Sequence, residues 1–266
     1  MRIVFLLVSS LLPISNTEAA FENRALSVRA EGMGGAFTAI GDNDGVIFYN
    51  PAGLAQITLQ EISFLHTHLF NLSELKQNLI NFVQPIKEGG MGFSYQQFAA
   101  CDNYKEEILT FGISTFASKN LCIGINLKQL CLEIDGYGQT TGLGIDVGGL
   151  YEISPKVTIG FAGFNLNNPL IDVERNYNLG LSIRPKENLL IAIDIEKSAR
   201  FNSEIKIGQE FWVTNNICIR AGLKKHTTTQ PTLGLGILIN LIQFDHSCTF
   251  HTALEQTHRF SLTKWF

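Results

Sequence analysis

The chain has 266 residues, 45% hydrophobic and only 17% charged, with a net charge of -4. A soluble domain carries roughly 25% charged residues, so the usual water-facing surface is undersupplied. With no basic run or positive balance, no nucleic-acid partner is expected.

At the start, Arg2 precedes the apolar run from Ile3 to Leu12, followed by Pro13 and the polar stretch Ser15-Asn16-Thr17-Glu18-Ala19. This pattern predicts a secretory signal peptide over 1–19, cleaved after Ala19. No later segment reaches the roughly 18 apolar residues of a transmembrane helix. Residues 20–60 follow without any alternation, and an unpatterned stretch of that length needs a function. It runs through Glu31-Gly32-Met33-Gly34-Gly35-Ala36-Phe37-Thr38-Ala39, then Asp42-Asn43-Asp44-Gly45, then Phe48-Tyr49-Asn50-Pro51-Ala52-Gly53-Leu54. Glycines allow close backbone approach, and Asn-Pro with a nearby Gly forces a turn. We expect a hatch over 20–60, with Gly32, Gly34, Gly35, Asn50, Pro51 and Gly53 as its packing and gating residues.

From residue 61 onward, period-two segments alternate with turn residues, the signature of a transmembrane β-barrel over 61–266. In Leu121 to Lys128, Leu189 to Glu196 and Ile217 to Lys224 the odd positions are aliphatic or Ala, and the even ones are mostly small, polar or charged. Strands are predicted near 61–69, 77–86, 90–98, 106–116, 120–132, 142–151, 156–165, 176–184, 188–196, 203–213, 216–224, 231–240, 241–250 and 256–266. The 206 residues from 61 to 266 then give about 15 per strand plus connection, which suits strands of roughly 9 to 11 residues. The expected fold is therefore an all-β, antiparallel barrel of about 14 strands with the N-terminal hatch in its lumen. Only Asn240 marks a turn within 231–250, so twelve strands stay open as an alternative.

Short links, as at Lys87-Glu88-Gly89 and Ser154-Pro155, alternate with longer polar ones, as at Asp135 to Thr141 and Leu166 to Glu174. That alternation matches periplasmic turns and extracellular loops. The last segment, Gln256 to Phe266, alternates and ends on Trp265-Phe266, which fits a closing strand with interfacial aromatics. Lumen-facing charges are predicted at Lys128, Asp194, Glu196, Lys206, Arg220 and Arg259. Asp194 and Glu196 lie beside Lys206 and then Arg220 on consecutive strands, so cross-strand ion pairs are expected. Many other inward positions are Gly or Ser, leaving room inside.

The string Arg29 to Ala39 followed by Asn50-Pro51-Ala52-Gly53-Leu54 resembles the N-terminal hatch of PorV/PorQ-type and FadL-type outer-membrane proteins. The aromatic C-terminus also resembles the assembly signal of such barrels. The resemblance implies a fourteen-stranded barrel with an internal hatch, in contact with outer-membrane lipids and handled by the barrel-assembly machinery through its last strand. FadL-type members pass hydrophobic compounds, and PorV-type members serve a protein secretion system. A hydrophobic ligand and secretion-system proteins are accordingly the two partner classes it implies, with a structural barrel as a third reading. A lateral opening between strands would support a passive or facilitated route gated by the hatch, and a lumen sealed by ion pairs on both sides would sink it. The inferred loops are short, and no motif in them supplies a ligand groove.

Other chemistry finds little support. Gly32-Met33-Gly34-Gly35 lacks the strand and spacing of a nucleotide loop. Asp42-Asn43-Asp44-Gly45 has Gly53 where a calcium loop needs its final Glu. His66 and His68 share a strand face without a third ligand. His246, Ser247 and His251 show no catalytic spacing. The five cysteines are read as small wall residues. No enzyme activity, metal or cofactor is expected.

Overall fold

The computed structural model describes residue 21 and residues 26–101, 103–168, 173–198 and 203–266; the expected leader, 1–19, lies outside the described residues. Fourteen strands form: β1 Glu61–His68, β2 Leu75–Ile86, β3 Gly89–Ala100, β4 Tyr104–Ser118, β5 Leu121–Ile134, β6 Gly138–Ser154 and β7 Val157–Phe164. They continue as β8 Asn176–Lys186, β9 Leu189–Ser198, β10 Glu204–Trp212, β11 Ile217–Lys225, β12 Thr229–Ile239, β13 Ile242–Thr249 and β14 Thr257–Trp265. Each pairs antiparallel with its sequence neighbours, and β1 pairs with β14 to close the barrel. Full closure leaves no strand edge, which a sheet bounded by lipid requires.

The period-two pattern sets the two faces. Leu127 and Leu179 are 55% and 57% exposed on the outside, whereas Asn126 and Asp194 are 0% and 1% exposed inside. The turn at Asn240 settles the strand count at fourteen: Asn240 takes a left-handed φ of 55°, which asparagine tolerates in tight hairpins, and Ile239 pairs with Ile242 across it.

We call the end carrying Glu61 and Trp265 basal and the other apical. The apical rim is uneven. β4, β5 and β6 have 15, 14 and 17 residues, whereas β1, β13 and β14 have 8, 8 and 9. The long connection expected over Asp135 to Thr141 is largely strand, because β6 already begins at Gly138. Beyond the end of β7 the wall stays hydrogen-bonded: Leu166 N donates to Ile145 O (2.9 Å), Asn167 Oδ1 accepts from Ile145 N (3.0 Å), and Asn167 Nδ2 donates to Leu143 O (2.7 Å).

Inside sit two short helices, α1 Val28–Gly32 and α2 Val46–Tyr49, and a 3-10 turn over Pro51–Gln56. Ser27 caps α1 by accepting from Ala30 N, and Asn50 caps the 3-10 turn by accepting from Ala52 N at 3.1 Å. Past α1 the chain reverses through Gly34 and Gly35 at φ 66° and 75°, where a side chain would be strained. The largest hydrophobic cluster belongs to this plug: Met33, Phe37, Ile40, Ile47, Tyr49 and Leu54 are buried, and Val83, Leu190 and Ala192 of the wall join them. The rings of Phe37 and Tyr49 meet edge to face at 5.4 Å.

Candidate functional site: the plugged lumen

The plug touches the wall backbone to backbone. A Cβ at Gly208 would meet Met33 O, one at Gly222 would meet Gly34 N and Met33 C, and one at Gly160 would meet Thr38 O. Gly124 and Gly148 are similarly occupied by Pro51 and Asn50. These five inward glycines of the wall are thus footprints of the plug, whereas Gly144 and Gly236 make room for wall side chains.

Elements of four to six residues leave most of their amides and carbonyls without internal partners, and burial makes those groups costly. Wall side chains satisfy them. Asp194 Oδ2 accepts from both Phe37 N and Thr38 N at 2.8 Å. Thr232 Oγ1 accepts from Gly34 N at 2.9 Å, Ser182 donates to Ala39 O at 2.8 Å, and Ser114 donates to Ala52 O at 2.9 Å. Asn126 donates to Ile47 O at 2.7 Å, and Asn50 of the plug donates to Gly149 O of β6 at 3.0 Å. We expect Asp194→Asn to weaken both charge-assisted bonds and cost about 1–3 kcal/mol. The temperature at which the folded band converts on unboiled gels should fall, and an unchanged conversion temperature would contradict the role.

Charged side chains form two layers. Basally, Arg29 makes a two-pronged contact with Glu210, both bonds 2.8 Å, and reaches Asp42 at 2.6 Å. Asp42 also pairs with Arg184. Glu210 accepts in addition from Arg220 Nε at 2.7 Å, and Arg220 reaches Asp245 at 2.6 Å. Apically, Glu31 of the plug pairs with Lys224 and with Arg259 at 3.5 Å, and Lys206 bonds Glu196 at 2.5 Å. Nearer the middle, Lys128 pairs with Asp146 at 2.7 Å.

The expected lumen charges therefore all face inward and cross-strand ion pairs form, but two pairings suggested by their order along the wall are not made. Asp194 lies directly across from Lys206 in register, yet the lysine turns to Glu196 and Asp194 serves the plug amides. Arg220 likewise bonds Glu210 and Asp245 rather than a β9 carboxylate. Of the six expected hatch residues, Gly34 and Gly35 form the reversal and Gly32 abuts Gly234 of the wall. Asn50, Pro51 and Gly53 build the cap, start and middle of the 3-10 turn. The strand alternation already puts Glu210, Lys224 and Arg259 on the lumen face, whereas the pairing roles of Arg29, Glu31 and Asp245 have no signal in the sequence. Nothing local announces that Arg29 of an irregular segment meets Glu210 or that Glu31 meets Lys224 and Arg259.

Among the described residues, cavities flank the plug at both ends. The apical one, about 440 Å³, lies between the β1–β2 and β13–β14 connections. Leu69, Phe70, Leu75, Phe98 and Leu254 supply its apolar lining, and Glu31, Lys224 and Arg259 also border it. This volume falls within the roughly 300–1,000 Å³ of small-molecule sites. His251 stacks edge to face on Phe70 at 4.8 Å, and burial together with Arg259 holds its pKa below the usual value. This cavity corrects the expectation that the loops build no groove. The basal cavity, about 260 Å³, is bordered by Asp42, Asp44, Arg184, Glu210 and the two tryptophans. A third, of about 80 Å³, lies beside Phe48, Lys128 and Asn176.

A closed fourteen-strand wall, apolar outside, with its own N-terminal segment packed inside, defines a plugged transmembrane barrel. The solved structures it resembles are FadL-type outer-membrane barrels. The toluene transporter TbuX of Ralstonia pickettii matches with a TM-score of 0.69 at 13% identity, covering 89% of this chain and 97% of that one. The monoaromatic hydrocarbon channel CymD matches at 0.67 and 13%, covering 89% and 96%. A FadL homologue of Pseudomonas aeruginosa matches at 0.62 and 11%, covering 87% and 95%. At these identities the likeness shows the fold. In sequence, the model of the uncharacterised protein family UPF0164 matches residues 15–132. A UPF0164 protein of Treponema pallidum (strain Nichols) is 28% identical over 175 residues, 54% of this chain and 53% of the relative. The match thus spans about half the length of that curated relative.

Proposed function

We propose that the protein is a plug-gated outer-membrane channel for small hydrophobic molecules. The observation that carries this reading is the apical cavity above the plug, where Leu69, Phe70, Leu75, Phe98 and Leu254 form an apolar side facing a polar one. The barrels it resembles include a toluene transporter and a monoaromatic hydrocarbon channel, which supports the same substrate class. In this orientation the apical end faces outward, and the chain inserts through its closing strand β14.

The ion pairs on both sides of the plug are the feature expected to sink a hatch-gated route, and they exclude every route while the plug is docked. Glu31 is tied to Lys224 and Arg259 on one side, and Arg29 and Asp42 to Glu210 and Arg184 on the other. Passage therefore requires the plug to shift, and the ligand must favour the shifted state over the docked one.

Cells carrying Phe70→Asp with Leu254→Asp should take up a lipophilic fluorescent probe at the rate of cells lacking the gene. Both side chains stand in apical connections outside the wall, so folding, read as heat-modifiable migration, should persist. Uptake equal to the parent in a folded variant would remove the cavity from the pathway.

A further inference from the structure

The outer surface near the barrel seam carries a feature that transport does not use. On β1, β2, β13 and β14 the outward residues turn polar well before the apical rim: His66 and His68, Lys76 and Asn78, His246, and His258. They form one patch. His68 lies across from both Lys76 and His258, and His66 lies across from Asn78. His66 Nδ1 and Asn78 Oδ1 are 2.7 Å apart, and His246 Nε2 meets His258 Nδ1 at 3.1 Å.

The patch cuts into the apolar belt. On β14 only Phe260 and Leu262 separate the outward His258 from the outward Lys264. Six residues at about 3.3 Å each, tilted by about 40°, make a height of roughly 15 Å, against the roughly 25 Å of a full belt. The notch is local. His246 lies directly across from Leu235 of β12, where the outward face stays apolar through Leu233. Polar headgroups must therefore come lower here than at β12, because a cationic side chain held against lipid costs about 2–4 kcal/mol at the bilayer midplane and little at the interface.

On these four strands the formally charged outward residues, Lys76 and Lys264, are both basic, and the histidines beside Lys76 add ring N–H donors. Among the described residues, no outward position of β1, β2, β13 or β14 is a carboxylate. The flanking Glu107 of β4 is already paired with Lys105 at 3.0 Å, and Glu74 in the apical link is near enough to interact with Lys76 and His68, so a headgroup phosphate competes with it for them. Among the described residues, no three His, Cys or acidic groups converge to hold a metal ion. We propose that this face binds the phosphate-bearing headgroup of an anionic outer-leaflet lipid, with Lys76, His68 and His258 as its direct contacts and His66 and His246 flanking them.

The test uses the full chain purified in neutral detergent and native mass spectrometry with added dioleoyl phosphatidylglycerol or dioleoyl phosphatidylcholine. The anionic lipid should stay bound at about tenfold lower concentration than the zwitterionic one. The combined variant His66→Gln, His68→Gln, Lys76→Gln and His258→Gln should abolish that preference. Lys197→Gln, an outward change on β9, should leave it intact. Heat-modifiable migration confirms that each variant is folded, and Lys76→Gln alone, expected to lose part of the preference, serves if the combined variant is not. Equal retention of both lipids by the parent would overturn the proposal. So would an unchanged preference in the folded variants, displacement by millimolar inorganic phosphate, or a stable dimer formed through this face.

Discussion

Gly222→Val should unseat the plug. A side chain at this inward position collides with the backbone of Met33 and Gly34, which has no rotamer to yield. Valine suits a strand, and the register of β11 against β10 and β12 does not depend on this position. The wall should close while the plug is displaced. In planar bilayers the conductance should rise at least tenfold, which corresponds to a shift of about 1.4 kcal/mol or more between docked and released plug. Ala221→Val adds similar bulk to the exterior and is the control. If Gly222→Val conducts like its parent, the plug does not occlude the lumen.

Glu210→Ala should cost the most stability of any single wall substitution considered. This carboxylate receives Arg29 from the plug and Arg220 from the wall, and its side chain is 1% exposed. Its removal leaves two guanidiniums short of a partner in a buried layer, at about 3–5 kcal/mol for a broken buried pair. Asp42 and Asp245 remain and soften the loss, so the lower half of that range is expected. Urea unfolding in liposomes should show the midpoint falling. Adding Arg29→Met should restore part of it, since one of the stranded charges is then gone. A midpoint unchanged by Glu210→Ala would mean that water reaches this layer.

Much of the wall was legible because lipid outside and plug inside enforce one rule at every strand. Leu121 to Lys128 shows it: each outward residue meets hydrocarbon and each inward one meets the plug or its neighbours. The rule fails at the apical ends of the tall strands. Gln139 and Thr141 face outward on β6 and are polar, so the apolar alternation stops while the backbone ladder continues. β6 therefore starts four residues before the pattern does. The partner of Asp194 was hidden for another reason. Register placed Lys206 opposite, but two plug amides at 2.8 Å outcompete it, and their position depends on the path of a segment without periodicity. The apical cavity was invisible because Phe70 and Leu254 lie far apart in sequence and meet only when β1 and β14 close the barrel.

The plug is first in sequence and last to be satisfied. Its amides at Thr38, Phe37 and Gly34 find acceptors 156, 157 and 198 residues downstream. Contacts of such separation form late, because the intervening chain must be ordered before they repay its entropy. Until β9 and β12 are in place, whatever the order of the other strands, Phe37, Ile47 and Tyr49 have no finished chamber to receive them. An incomplete wall thus leaves apolar plug surface open to aggregation and proteases, and closing it around the plug ends that exposure.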